Sequence, residues 1–458
     1  MRTGELGFWW RAIGGAPPPR APLPGPEQAD VAIVGAGFTG LWTAYYLKLA
    51  RPSLRVVVLE AERAGYGASG RNGGWVSGFF SGPARAYARR GGAAGYEALQ
   101  RAMFATVAEI TRVAAERSID ADVVHGGNLT VALDRAQLAR LREEIAAARG
   151  RGLGEGDLRE LGAAELTGRV RVAGALGGAF SPHVARVQPV KLLLGLAAAV
   201  ERLGVQIYER TPVVEIAPGR ARTVFGAVEA PWVVRATEGY TASLRGLRRA
   251  LVPMNSSMIV TEPLPAAAWE QIGWDGAETI GDGAHVYAYL QRTADGRIAI
   301  GGRGVPYRYG SRTDGSGETA ASTVESLRAK LAAMFPATSA VELAHAWSGV
   351  LGVPRDWCPS VAADRATGLA HAGGYVGEGL AAANLAGRTL RDLLLDERSE
   401  LTELPWVGAP RRRWEPEPLR WAEINAVYAL YRRADAAERR SGRPSRLGSL
   451  VDVLSGRV

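Results

Sequence analysis

Three glycines near the start of the chain have the spacing of a phosphate-binding turn. Gly35, Gly37 and Gly40 follow the apolar run 31–34 and precede a helix-compatible run. In such a turn the first glycine allows a tight bend, the second lets a pyrophosphate approach the backbone, and the third lets the helix pack on the strand. Glu60 ends a second apolar run and can accept a hydrogen bond from a ribose hydroxyl. We therefore predict a dinucleotide site, at a helix N-terminus that attracts phosphates, from the following residues: Gly35, Ala36, Gly37, Phe38, Thr39, Gly40, Glu60 and Ala61.

A second glycine-rich run, GYGASGRNGG at residues 65–74, begins shortly after Glu60 and supplies few side chains for a core. A domain that binds only a nicotinamide dinucleotide does not need a second run at this position. The glycines would leave room for a large flat ring, and Arg63 could reach the adenosine or a phosphate. A flexible surface loop has a similar composition, but the position directly after the ribose acid favours a flavin. The predicted contacts here are Arg63, Gly67, Ala68, Ser69, Gly70, Arg71, Asn72, Gly73 and Gly74.

A third glycine-rich segment, at residues 373–379, leads into a proline-free run rich in alanine and leucine from Leu380 to Leu395. This composition predicts a helix with a glycine-rich entry. The N-terminus of such a helix carries partial positive charge, which would stabilise the negative charge that a flavin gains on reduction. Glu378 stands at this entry and is a candidate catalytic residue.

Polar and aromatic residues alternate on a strand predicted over residues 285–290. His285, Tyr287 and Tyr289 would share one face of that strand. Aromatic walls can hold a cation, so this face suits an amine pocket. An ordinary half-exposed strand is the alternative, and a single histidine is more often a structural hydrogen-bonding group. Arg303, farther along the chain, could bind a substrate carboxylate or lie at the surface.

The three glycine-rich segments together resemble the D-amino-acid-oxidase-type (DAO) family of FAD-dependent amine oxidoreductases, and in particular its γ-glutamylputrescine oxidase branch. The likeness runs from Phe8 to Leu395. It implies an α/β fold in which a Rossmann-like FAD-binding domain of the glutathione-reductase type carries an inserted mixed-sheet substrate domain. Four further segments are similar to the family: 185–209, 230–244, 295–304 and 371–394. The further FAD contacts that the resemblance implies are Val213, Thr237, Gly239, Gly374, Tyr375, Val376, Gly379 and Leu380.

Three positions depart from the patterns of this family. Leu351 stands where glycine and D-amino-acid oxidases have an arginine for the α-carboxylate, which favours an amine without an adjacent carboxylate. Ala299 stands where sarcosine-oxidase-like members have a lysine that helps O₂ react, and this favours another electron acceptor. Cys358 falls too late in the chain to match the cysteine that binds flavin covalently, so non-covalent FAD is predicted.

The elements that must position these residues fall into two domains and an extension. Asp295-Gly296 predicts a hairpin turn within the substrate domain. The residues beyond the family-like part predict an amphipathic helix with a basic face, docked on the FAD-binding domain; contact with a membrane surface or a partner is the alternative. The predicted bounds are 1–80, 150–245 and 345–410 for the FAD-binding domain, 81–149 and 246–344 for the substrate domain, and 411–458 for the C-terminal helical extension.

Composition narrows the remaining function classes. The chain has 458 residues, 47% of them hydrophobic and 22% charged, which is typical of a soluble globular protein. Its net charge of +9 comes from arginines spread along the chain and does not indicate nucleic-acid binding. The single cysteine predicts no disulfide and no cysteine metal cluster, and it suits a cytoplasmic protein. We also expect no signal peptide and no membrane span.

The resemblance implies oxidation of a C–N bond of a small-molecule amine to an imine that water then hydrolyses. O₂ is the expected acceptor, with H₂O₂ as the product. Two alternatives stay open at this point: an FAD-dependent amine dehydrogenase with another electron acceptor, and a flavin-bearing partner-binding protein without turnover. The amine and the oligomeric state are not specified by the sequence.

Overall fold

Short apolar runs, buried on both faces, form the centre of one sheet. The computed structural model describes residues 1–313, 315–410 and 412–456. Its strands are, in chain order, β1 (Arg2–Thr3), β2 (Glu27–Gln28), β3 (Val31–Val34), β4 (Val56–Leu59), β5 (Trp75–Ser77), β6 (Asn128–Ala132), β7 (Arg159–Gly162), β8 (Gly177–Ser181), β9 (Val184–Arg186), β10 (Gln206–Tyr208), β11 (Val213–Ala217), β12 (Arg220–Thr223), β13 (Ala227–Glu229), β14 (Trp232–Arg235), β15 (Val252–Thr261), β16 (Thr279–Asp282), β17 (Ala288–Arg292), β18 (Ile298–Gly302), β19 (Leu343–Val353), β20 (Ser360–Asp364) and β21 (Leu369–Gly373).

Helices pack on one face of this sheet, whose other face meets strands β11, β12 and β13. The helices are α1 (Phe8–Ala12), α2 (Phe38–Ala50), α3 (Ala84–Glu116), α4 (Arg135–Arg149), α5 (Ala163–Arg169), α6 (Pro189–Arg202), α7 (Ala266–Ile272), α8 (Ala321–Met334), α9 (Gly379–Leu395), α10 (Leu419–Ser441) and α11 (Arg446–Ser455). Within the described ranges, none of them has both the length and the apolar character needed to cross a bilayer.

Sheet 1 has the strand order β10-β4-β3-β14-β21-β20. Its neighbouring strands run parallel except for β20, which is antiparallel to β21. β3 and β4 are buried along their whole length, because helices cover one of their faces and strands β11, β12 and β13 cover the other. Helices α2 and α9 can pack closely because residue 387 is a glycine. A Cβ at that position would lie 2.8 Å from the Trp42 Cβ. The predicted strand–helix–strand unit at residues 30–62 is therefore confirmed.

Sheet 2 has the order β1-β19-β15-β18-β17-β16-β6-β8-β7 and mixes parallel with antiparallel pairs. The predicted hairpin is confirmed: β17 and β18 are antiparallel, and the Thr293 N–H donates to the Arg297 carbonyl across the turn at 2.9 Å. Smaller sheets join β11-β12-β13-β2 and β5-β9. Together these elements give the mixed α/β fold that the sequence predicts.

One expectation about chain organisation is wrong. Strands β7 and β8 pair with β6 in sheet 2, although the predicted boundary at 150 assigns residues 159–181 to the FAD-binding part. The edge of β6 opposite β16 requires a partner, and β8 supplies it. The C-terminal helix α10 contacts both predicted domains: Ile424 and Tyr428 share one cluster with Val252 of sheet 2 and with Val376 of the part assigned to FAD binding, and Glu423 pairs with Arg355 at 2.8 Å. Residues 411, 457 and 458 of the predicted extension lie outside the described residues.

Candidate functional site

The first glycine turn has the geometry of a phosphate-binding turn. Gly35 has a φ of 108°, and a Cβ there would lie 2.6 Å from the Ala236 carbonyl oxygen. A Cβ on Gly40 would lie 2.0 Å from the Gly35 carbonyl oxygen, so only glycine lets α2 approach β3 this closely. Gly37 caps α2, and the Phe38 N–H donates to the Ser69 hydroxyl at 2.9 Å. The N-terminus of α2 therefore contacts the second glycine-rich run.

Glu60 lies at the end of β4, where the ribose acid of a dinucleotide site is expected. Its carboxylate accepts the N–H of Ala36 at 2.8 Å and the N–H of Glu62 at 3.1 Å. Burial raises the pKa of Glu60 to about 7, although both backbone hydrogen bonds act in the opposite direction. A ribose hydroxyl that donates to this carboxylate would therefore favour its ionised form.

The second glycine-rich run is held by its own side chains. The Asn72 amide donates to the carbonyls of Ala68 and Ser69 at 3.1 and 2.8 Å and accepts the Gly74 N–H at 2.7 Å. The Arg71 guanidinium lies 4.7 Å from the centre of the Tyr66 ring and donates to the Ser348 carbonyl at 3.2 Å. The polar groups of both residues therefore shape the loop, while its glycines leave the space beside it open.

A cleft of about 440 Å³ runs along these segments. Its lining contains most of the FAD contacts predicted from the sequence. Those residues are Gly35, Gly37, Phe38, Thr39, Glu60, Ala61, Gly67, Ala68, Ser69, Arg71, Asn72, Gly73, Val213, Thr237, Tyr375, Gly379 and Leu380.

Eight predicted FAD contacts do not line the cleft: Ala36, Gly40, Arg63, Gly70, Gly74, Gly239, Gly374 and Val376. Most of them support the turns from behind. A Cβ on Gly70 would meet the Gly65 carbonyl at 2.3 Å, and one on Gly239 would meet the Leu351 carbonyl carbon at 3.2 Å. The Arg63 guanidinium turns to the Pro17 carbonyl at 3.3 Å.

The other exceptions follow from backbone hydrogen bonds and packing. The Ala36 N–H is used by Glu60, and a Cβ on Gly74 would lie 2.3 Å from the Gln291 amide nitrogen. The Gly374 N–H donates to Glu238 at 2.7 Å. Val376 is buried in a cluster with Trp414. These residues shape the site without facing it.

Glu238 is a lining residue that the sequence analysis missed. Its carboxylate accepts the N–H groups of Gly374 and Tyr375 at 2.7 and 3.1 Å, and its own φ is 43°. It thereby joins the end of β14 to the glycine-rich entry of α9. The Tyr375 hydroxyl lies 3.0 Å from the Thr39 hydroxyl, so two dinucleotide-type segments meet here. The available signal was an acid shortly after the buried strand β14.

The entry of α9 places a carboxyl group in the cleft. Glu378 precedes Gly379, the first residue of the helix, and both line the cleft with Leu380. Burial raises the pKa of Glu378, and the nearby Ser77 hydroxyl offsets only part of that shift. The helix N-terminus and a carboxyl group that readily takes up a proton therefore face the same space.

Tyr287, Tyr289 and Arg303 from sheet 2 line the cleft together with Glu378. Tyr289 faces Gly301 on the neighbouring strand, where a Cβ would lie 2.2 Å from its ring. The Tyr289 and Ser256 hydroxyls lie 2.9 Å apart. This glycine is thus what allows the ring to lie across the sheet.

His285 does not join this wall, so its predicted place is wrong. The strand begins at Ala288, and His285 turns towards α10. Its Nε2 lies 3.1 Å from the Glu438 carboxylate, and its ring stacks on Tyr431 at 5.4 Å. Glu438 lies 153 positions farther along the chain than His285. A local alternation pattern carries no information about a contact with so distant a residue.

Helix α10 holds both ends of the hairpin that carries the wall. Ahead of Tyr287, the Asp435 carboxylate accepts the N–H groups of His285 and Val286 at 2.8 and 3.1 Å. Beyond Arg303, the Arg432 guanidinium donates to the Gly304 carbonyl at 3.0 Å. We name this set of contacts the α10 clasp.

Two other positions bear on the electron acceptor and the flavin linkage. Ala299 is buried in a cluster with Trp347, and none of the chain's three lysines, Lys48, Lys191 and Lys330, lines the cleft. The Cys358 thiol is buried in the core, and no cysteine or histidine lines the cleft among the described residues. Non-covalent binding of FAD stays the prediction.

The cleft runs from a phosphate-binding turn to a wall of phenols and charged groups. A flavin-dependent oxidoreductase requires such a cleft, because the flavin of its bound dinucleotide must contact the substrate. The family model for FAD dependent oxidoreductases (DAO) matches residues 30–393. The chain is 30% identical over 392 residues to gamma-glutamylputrescine oxidoreductase of Escherichia coli, covering 83% of this chain and 88% of that protein. It is 29% identical over 393 residues to the oxidoreductase OrdL of Haemophilus influenzae, covering 83% and 87%.

Glycine oxidase from Geobacillus kaustophilus has a similar solved structure, with a TM-score of 0.69 and 22% identity over 81% of this chain and 96% of that one. This similarity concerns the fold. The chain belongs to the DAO family of FAD-dependent oxidoreductases, and its cofactor is FAD. The family match ends at residue 393, so α10 and α11 lie beyond it.

The residues of the cleft fit this cofactor. Gly37 and Gly73 line the cleft without side chains. A Cβ on Gly37 would lie 2.9 Å from the Ser69 hydroxyl, and a Cβ on Gly73 would lie 2.9 Å from the Tyr289 ring. The start of α2 can hold phosphate groups through its N–H groups. Glu60 can hold the ribose, and the start of α9 can face the flavin ring.

Proposed function

We propose that this protein oxidises the CH–NH group of a small-molecule amine to an imine. The observation that carries the proposal is the position of Tyr287, Tyr289 and Glu378 in the cleft beside the dinucleotide turns. The amine loses a hydride from carbon and a proton from nitrogen, and a C=N double bond forms. Water then adds to the imine, which separates into a carbonyl compound and ammonia or a smaller amine.

FAD supplies the two-electron acceptor for the hydride. The chain must deliver the amine neutral, oriented and shielded from water. Glu378 has a raised pKa because of burial, so its carboxylate is a suitable acceptor for the proton of the bound ammonium group. The rings of Tyr287 and Tyr289 attract a cation before that proton leaves and limit the access of water to the reacting carbon.

The proposed acceptor of the electrons is O₂, which takes up two electrons and two protons to give H₂O₂. A second candidate is a dehydrogenase that passes the electrons to another acceptor. This candidate is favoured by the buried Ala299 and by the fact that no lysine lines the cleft. Lys191 instead pairs with Asp122 at 2.7 Å, and Lys330 pairs with Asp282 at 2.5 Å.

Anaerobic reduction of the flavin tests the proposal. The FAD-loaded protein would be mixed with polyamines, N-methyl amines and amino acids, and loss of the yellow absorbance would be followed. At least one amine should bleach the flavin, and the rate should rise with pH as Glu378 ionises. Glu378→Gln should lose that rise. A flavin that no amine reduces would contradict the proposal.

Comparison of two acceptors separates the two candidates. Peroxide would be measured in air, and turnover with an artificial electron acceptor would be measured under nitrogen. Peroxide formed at the rate of turnover supports an oxidase. Slow peroxide formation with fast use of the artificial acceptor supports a dehydrogenase.

A further inference from the structure

Arg303 carries a half-buried guanidinium that faces the cleft. Its one hydrogen bond to the described residues goes to the Asn255 carbonyl at 3.4 Å, a long distance for such a bond. Among those same residues, no carboxylate lies within ion-pair distance of it. The buried Arg420, in contrast, pairs with Glu417 at 3.0 Å and also donates to the Arg248 carbonyl.

A guanidinium removed from water needs an anion or several acceptors, because it carries five N–H donors and a charge that is never lost. Arg303 finds neither among the described residues, and it borders open space. Carboxylates fit its planar donors with two parallel hydrogen bonds. Its surroundings are therefore those of a binding group whose partner arrives with the substrate.

Arg303 and Glu378 reach the cleft from different elements of the fold. Arg303 follows β18 of sheet 2, whereas Glu378 stands at the start of α9. The Tyr287 phenol interacts electrostatically with both of them, so a positive and a negative group border the same side chain. The apolar Leu351 also lines the cleft and offers nothing to a carboxylate.

We propose that Arg303 binds a carboxylate that the substrate carries on a carbon other than the one that is oxidised. The substrate class is then an amino acid whose reacting amine is separated from its carboxylate by a chain of carbons. Its ammonium group is bound at Glu378, and its carboxylate is bound at Arg303. This inference rests on the proposed amine oxidation and adds the substrate class.

Matched substrates test it with the FAD-loaded protein. Each straight-chain amino acid with a terminal amine would be compared with the monoamine of equal carbon number in anaerobic flavin reduction. The carboxylate should raise kcat/KM by roughly 10- to 100-fold, the range expected for a charge-assisted pair of hydrogen bonds. An α-amino acid of the same length should show no such gain.

Substitution of Arg303 gives the second arm. Arg303→Gln should remove the preference by lowering kcat/KM for the amino acid about 10- to 100-fold, with the monoamine changed less than about threefold. Arg312→Gln is the matched control, because Arg312 is exposed and lies outside the cleft lining. Equal losses for both substrates, or none, would overturn the assignment.

A binding measurement separates this inference from the proposed function. Pentanoate, which cannot be oxidised as an amine, would be titrated into the FAD-loaded protein while the flavin spectrum is recorded. Saturable spectral changes that weaken at least tenfold in Arg303→Gln support the carboxylate site even if no amine reduces the flavin. Monoamines that reduce the flavin without any gain from a carboxylate would leave amine oxidation standing and refute the role of Arg303.

Discussion

The α10 clasp makes a measurable prediction about the substrate wall. Asp435 is only 7% exposed, and its two carboxylate oxygens accept the N–H groups of His285 and Val286. Asp435→Ala would leave both N–H groups without a partner. Each such loss costs about 1–3 kcal/mol. Water can reach this half-buried segment, so the lower end applies to each, and the sum is about 2 kcal/mol.

This free energy acts on the local opening of residues 283–292 rather than on global unfolding, because the rest of α10 keeps its apolar contacts. About 2 kcal/mol corresponds to roughly a 30-fold change in the ratio of open to closed segment. Hydrogen exchange followed by mass spectrometry should therefore be about 10- to 30-fold faster there in Asp435→Ala. KM for the amine should rise, and the amount of bound FAD should not change, since the dinucleotide turns lie elsewhere.

Glu423→Ala is the control for Asp435→Ala. Glu423 is an acid of the same helix that pairs with Arg355 at 2.8 Å and does not contact the hairpin. Its loss should leave exchange in residues 283–292 unchanged. Asp435→Asn, which retains one acceptor, should fall between the two. Native exchange rates in folded Asp435→Ala would refute the idea that this carboxylate holds the wall.

Three further substitutions test the dinucleotide turn, the ribose acid and the strand pair. Gly40→Ala forces its Cβ to 2.0 Å from the Gly35 carbonyl oxygen; we expect a loss of stability of at least about 1–3 kcal/mol and little bound FAD, measured by thermal unfolding and flavin absorbance. The pKa of Glu60 is about 7 without FAD, and a ribose hydroxyl favours its carboxylate. FAD affinity should therefore rise with pH up to about 7 and then level off, and Glu60→Gln should abolish the dependence in a calorimetric titration. Gly301→Ala places a Cβ 2.2 Å from the Tyr289 ring, so it should raise KM for the amine at unchanged FAD content; an unchanged KM would mean that this ring is not part of the substrate wall.

Local patterns were enough for the parts of the site that depend on the backbone. The spacing of Gly35 and Gly40 predicts the turn because the clash that a side chain would cause lies within the same strand–helix unit. The hairpin at Asp295-Gly296 could be predicted for the same reason: its two strands are neighbours in sequence and pair with each other.

Long-range contacts account for the errors. The position of His285 depends on Asp435 and Glu438, which no local pattern connects to it. The place of β7 and β8 depends on the edge of β6, and a boundary drawn from composition does not detect a strand pairing. Glu238 was missed because its function arises only where the ends of two parallel strands meet the entry of α9.

The α10 clasp has a consequence for the order in which the protein matures. The dinucleotide turn closes between residues 24 positions apart, as for Ala36 and Glu60, whereas Asp435 reaches His285 across 150 positions. Contacts close in sequence form at a smaller entropic cost than distant ones. We expect the Ala36–Glu60 contact to form in a newly made chain before the α10 clasp. Simultaneous protection of both segments in pulsed hydrogen exchange during refolding would contradict this order.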